Sequence, residues 1–146
     1  MPNIYAQIYI QIVFAVKSRA NFIGAFIREK VEKYIVGIIS NQNQKMYAIY
    51  CMPDHVHILV SISPNISISN LVRDIKANSS KYINDNKLVK SKFMWQEGFG
   101  AFSYSKSSRD NVVKYILNQE EHHKKKAFKT EYIEYLEKYE VDYDEK

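Results

Sequence analysis

The chain has 146 residues, 46% hydrophobic and 25% charged, a length and balance that fit one folded domain and leave no room for a second. The single Cys51 excludes an internal disulfide, and the lack of a long apolar run excludes a transmembrane helix or secretory leader, so a soluble, cytoplasmic protein is expected. The net charge of +5 is unevenly placed. Residues 131–146 carry seven acids and two lysines, a local −5, which leaves +10 on the first 130 residues. Such a field suits a polyanion, nucleic acid first, and suits a solvated lysine-rich surface equally well.

In chain order, residues 7–16 (QIYIQIVFAV) alternate, with Ile8, Ile10, Ile12, Phe14 and Val16 on one side and Gln7, Tyr9 and Gln11 on the other. That pattern predicts a strand with one face on a core and one face open. Residues 25–40 place Phe26, Ile27, Tyr34, Ile35, Ile38 and Ile39 at helical spacing. KMYAIYCM (45–52) predicts a second strand, the Pro53-Asp54 turn follows, and the next apolar run is a third strand. Residues 67–85 predict a helix with Ser67 as N-cap and Leu71, Ile75 and Tyr82 on its apolar side. Residues 92–105 read as a strand interrupted by Gly98 and Gly100. Residues 107–123 read as a helix capped by Ser107 or Ser108, with Asp110 in its first turn. This order predicts an α+β, ferredoxin-like (RRM-like) antiparallel sheet with helices on one face and an extra C-terminal helix bearing a tyrosine. The whole chain, 1–146, forms one domain whose segment 128–146 is acidic and tyrosine-rich.

The third strand carries the chemistry. In MPDHVHILV (52–60), alternation puts Val56, Ile58 and Val60 on the core face and His55 and His57 together on the other. Their α-carbons are then about 7 Å apart, close enough for two neutral imidazoles to converge on one metal ion. Surface or core histidines would give the same pattern. Twelve tyrosines are present, and only Tyr115 is followed four residues later by glutamine. Asn111, Tyr115, Gln119 and His122 form one stripe of the predicted helix, beside the apolar Val112, Val113, Ile116 and Leu117. A tyrosine that covers the core edge, beside a solvated glutamine, would also fit.

Taken together and in this order, VKSR after the first strand, HVH, WQEGFGAFSYS and YILNQEEHH resemble the single-tyrosine HUH transposases. These are the small transposases of single-strand, hairpin-ended insertion sequences, and they include domesticated repeat-associated tyrosine transposases. The resemblance runs from about Ile8 to His123. It implies that His55, His57 and Gln119 hold a divalent metal, that Tyr115 is the nucleophile, and that the substrate is single-stranded DNA with hairpins at element ends. It also implies a homodimer in which the tyrosine helix completes the partner's histidine site, with Gly98, Gly100 and SKSSRD as flexible joints. No role passes to His122 and His123.

The residue types suit that chemistry. A phenol can store a phosphate as an ester, and a metal beside it would polarise the phosphate and stabilise a departing oxygen. The mixed imidazole and oxygen set suits magnesium or manganese, rather than zinc. Lys17, Arg19, Lys124, Lys125 and Lys126 are candidate phosphate contacts, and the open sheet face with Gln7, Tyr9 and Gln11 is a candidate surface for unstacked bases. Two other activities remain open on the residues: a non-catalytic single-stranded DNA- or RNA-binding module, and a metal-dependent nuclease that uses water.

Overall fold

β1 (Tyr9–Ala15) is buried along its whole length, and its two faces serve two different layers. Ile10, Ile12 and Phe14 join Val56, Ile58 and Val60 of β3 (His55–Ser61) in one core, against α1 (Ala25–Asn41) and α2 (Ile68–Asp85). The computed structural model describes residues 5–121 and 127–142, with Arg19 by its backbone alone. β2 (Lys45–Met52) and β4 (Gly100–Tyr104) complete a four-stranded sheet in the order β2-β3-β1-β4, every neighbouring pair antiparallel. This is the ferredoxin-like arrangement the element order predicts.

The second face of the sheet is covered, contrary to the sequence reading. α3 (Arg109–Leu117) lays Val112 and Ile116 on Tyr9, Ala48 and Leu59. α4 (Phe128–Lys138) lays Phe128, Tyr132, Tyr135 and Leu136 on Val13, Ala15 and Phe102. The expectation of an open face rested on Gln7, Tyr9 and Gln11, yet only Gln7 is exposed. Val13 and Ala15 continue that same face as apolar residues, and Leu59 and Phe102 extend it across the sheet.

Ser67 caps α2 as expected, its Oγ accepting from Asn70 N at 3.0 Å. α3 has no such cap. A single 3₁₀ turn at Lys106–Ser108 feeds it, and Ser108 makes no side-chain capping bond. Asp110 does stand in its first turn. Nor does α3 run through to residue 123: it ends at Leu117, with Asn118 at φ −102° and ψ 25°, before helical backbone resumes at Gln119.

The region 92–105 is a strand only from Gly100. Before it, Trp95 makes one isolated bridge to Val16, and Phe93 is held by Asn84 of α2, which donates to its carbonyl and accepts from its N–H. Trp95 Nε1 donates to Ser79 Oγ at 2.9 Å. Gly98 has φ +89°, a backbone that glycine adopts without strain. Gly100 has a packing reason, since a Cβ there would lie 2.6 Å from Tyr132 Oη.

Candidate active site

The alternation of β3 sets His55 and His57 on the α3/α4 side of the sheet, where cross-strand partners fix them. His57 pairs with Val13 of β1 and Tyr50 of β2, and His55 with Ala15 and Met52. The two rings are 5.1 Å apart, centre to centre, at 76°. Both are buried, His55 to 1% exposure and His57 to 0%. His55 Nδ1 is 2.7 Å from Asp54 Oδ1, and His57 Nδ1 is 2.8 Å from Gln11 Oε1. An oxygen acceptor on each Nδ1 places the proton there and turns the lone pair of each Nε2 outward, the tautomer that metal-binding imidazoles use.

Gln11, fully buried, is a site residue the sequence reading placed on an open surface. Its amide also donates to Tyr104 Oη at 2.9 Å and to Tyr135 Oη at 3.4 Å, so one β1 side chain joins β3, β4 and α4.

α3 brings Tyr115 edge-on to His57 in the same chain, with ring centres 6.0 Å apart at 85°. Burial, and then the neighbouring Glu131 carboxylate, hold the Tyr115 phenol well above its ordinary pKa. Gln119 is fully buried one turn further on, and its Nε2 donates to the Tyr115 carbonyl at 3.2 Å. Arg28 of α1 pairs with Glu120 at 2.9 Å and lies over the Tyr50 ring, tying this segment to the sheet edge. Burial, and then a hydrogen bond to Glu120, push the Tyr50 phenol up to about 12.

α4 supplies two site neighbours that motif reasoning did not find. Phe128 stacks on His55 with ring centres 3.8 Å apart at 13°. Glu131, 4% exposed, sets Oε1 3.4 Å from His57 Nε2. An imidazole lone pair facing a carboxylate at that distance calls for a positive charge, either a proton or a cation. The donor chemistry of the histidine pair therefore fits a divalent metal. Among the described residues, no group of three or more His, Cys, Asp or Glu side chains is arranged to hold one.

Of the candidate phosphate contacts, Lys17 lines a groove of about 800 Å³ beside α2, with Arg73, Lys76 and Lys92 as further cations and Glu97 as the acid. Lys76 Nζ donates to the carbonyls of Gln96 and Gly98 at 2.8 and 2.5 Å, which closes one wall. Gln96 N in turn donates to the carbonyl of Ala15, the cross-strand partner of His55, so the groove reaches the histidine end of the sheet. The Arg19 side chain and Lys124, Lys125 and Lys126, like His122 and His123, lie outside what the structure describes.

Comparison with known proteins gives the class to which this ferredoxin-like sheet, with its histidine pair on a central strand and its tyrosine on a following helix, belongs. Residues 4–119 match the family model for IS200-like transposases. The chain belongs to that family. It is 22% identical over 118 residues to the ISDra2 transposase TnpA of Deinococcus radiodurans, an alignment covering 77% of this chain and 84% of that protein. Its fold is similar to the crystal structure of a candidate transposase from Deinococcus radiodurans, with a TM-score of 0.67 at 19% identity, covering 82% of this chain and 95% of that one. It is also similar to a REP-associated tyrosine transposase bound to a REP hairpin, with a TM-score of 0.60 at 15% identity, covering 84% and 73% of the two chains. Among the described residues, no helix is long and apolar enough to cross a membrane.

Proposed function

We propose that this transposase cleaves and rejoins single-stranded DNA through a 5′-phosphotyrosine on Tyr115, with His55, His57 and Gln119 holding magnesium or manganese. The observation that carries the reading is the meeting, inside one chain, of the Tyr115 ring with a histidine pair whose Nδ1 atoms both face oxygen acceptors. Gln119 contributes an amide, a donor type outside the His, Cys, Asp and Glu groups already considered. When bound, the metal supplies polarisation of the scissile phosphate and stabilises charge on the departing oxygen.

The remaining work falls to the chain. Gln11 and Asp54 orient the imidazoles, and α3 carries the phenol. The Tyr115 oxygen bonds to phosphorus as the phosphorus–O3′ bond breaks. The phenol gives up its proton and the leaving oxygen ends as a 3′-OH. Attack by another 3′-OH on the phosphotyrosine reverses the exchange and joins strands. Lys17, Arg73, Lys76 and Lys92 offer phosphate contacts along the α2 groove, on the sheet face opposite the histidines. The hairpin bound by the REP-associated relative supports a hairpin-bearing substrate here.

The test is to incubate a labelled, hairpin-bearing single strand with the protein and manganese, then run a denaturing protein gel. A protein band carrying the label supports the reading. Cut DNA without that band points to a nuclease that uses water, and intact DNA that is nonetheless bound points to a binding module.

A further inference from the structure

We infer that α4 is a removable cover, made by the chain itself, which competes with DNA for the histidine–tyrosine face. The inference rests on the function proposed above for that face. α4 sets a carboxylate against His57 and an aromatic ring flat on His55, the two kinds of group, anion and π-face, that a DNA strand would bring. Glu131 thus stands against the metal-side nitrogen of His57, the imidazole that the Tyr115 ring meets edge-on. No strand can reach two imidazoles that are 0 and 1% exposed while Phe128 and Glu131 stay in place.

The helix carries Glu131, Glu134 and Glu137 against Lys129 and Lys138, a net −1, and it is Glu131 that it sets against His57. A DNA phosphate and the Glu131 carboxylate are thus alternative anionic partners of His57.

Its attachment is nevertheless that of a separable layer. α4 is seated by aromatic contacts: Tyr135 stacks on Phe102 with centres 5.0 Å apart, Tyr132 stands over Gly100, and Tyr139 Oη donates to the Ser103 carbonyl at 3.1 Å. The core between the sheet and α1/α2 contains no α4 residue. α4 can lift while that core stays packed.

The test compares the full chain with Phe128→Ala/Glu131→Ala and, as a charge control, Glu137→Gln/Glu140→Gln. The control removes two exposed charges from the far end of the segment. The probe is a random-sequence single-stranded DNA pool beside a fixed hairpin. Affinity is measured in EDTA, and the covalent band is measured with manganese. A site that is competent only when open shows an affinity reduced by its open fraction, so a variant that opens tenfold more often binds about tenfold tighter.

The cover variant is expected to gain about that factor in affinity and in rate of band formation, and the control less than about twofold. In a second measurement, amide exchange over 128–138 of the unmodified chain should speed up when DNA is added. Equal affinity for all three proteins, or α4 amides that slow on DNA binding, overturns the cover. A loss of band formation at unchanged affinity also overturns it, and makes Glu131 a group that completes the site. If DNA binds but no protein forms the band, the proposed chemistry fails, while the affinities and exchange rates still decide the cover.

Discussion

At the scale of single residues, the site separates into groups that react and groups that hold. Tyr115→Phe removes only a hydroxyl, so the protein should fold and bind a hairpin-bearing strand as before while the covalent band disappears from the gel. His55→Ala and His57→Ala should also abolish cleavage and spare DNA binding, since affinity comes mainly from phosphate contacts. A Tyr115→Phe protein that still forms the band would move the nucleophile elsewhere.

Tyr104 belongs to the holding set. Burial, and then the Tyr135 hydroxyl, push its phenol above the ordinary value of 10.0. Below that pH the folded and unfolded chains both keep the proton. Above it the unfolded chain ionises first, so stability falls as pH rises. Denaturant titrations on either side of pH 10 should show a smaller alkaline loss for Tyr104→Phe than for the unmodified chain. The histidines and Tyr115 were legible because period-two and period-four spacing are local. Glu131 and Phe128 were not, because nothing in the local pattern of FKTEYIEYLEK says which sheet residues it meets.

At the scale of elements, the segment before β4 shows how a strand-like pattern can be satisfied without a ladder. Phe93 and Trp95 alternate inward as strand residues do, yet their polar partners are side chains of α2. Asn84 serves both backbone groups of Phe93, a residue 1% exposed. Asn84→Ala should therefore cost about 1–3 kcal/mol, the usual range when buried polar groups lose partners, seen as a lower denaturant midpoint with unchanged slope. The break after α3 was equally hidden. No glycine or proline marks Asn118, and the stripe from Asn111 to His122 presumed a helix without interruption. β1, β2, β3, α1 and α2 were legible to within a residue or two because each carries a clean period and a cap or turn at its end.

At the scale of the whole molecule, each histidine face has its own chain's tyrosine beside it. The resemblance implies an arrangement shared between two chains, and mixing decides between them. If subunits exchange α3, combining a His57→Ala protein with a Tyr115→Phe protein should restore cleavage that neither has alone. No recovery where labelled subunits demonstrably exchange would leave each chain to work on its own site.

Trp95, the chain's only tryptophan, is wedged edge-on between Phe14 and Phe93 with centres 4.7 and 4.8 Å apart, in the layer that α4 does not enter. α4 itself contributes tyrosines and no tryptophan. Trp95 thus reports one layer alone, while the tyrosine signal joins α4 with the Tyr34–Tyr82 stack of α1 and α2. Tryptophan emission should hold steady through any lifting of α4 and change only when the sheet parts from α1 and α2, whereas near-ultraviolet tyrosine dichroism should respond first. Coincident denaturant midpoints for the two signals would mean that the layers melt as one.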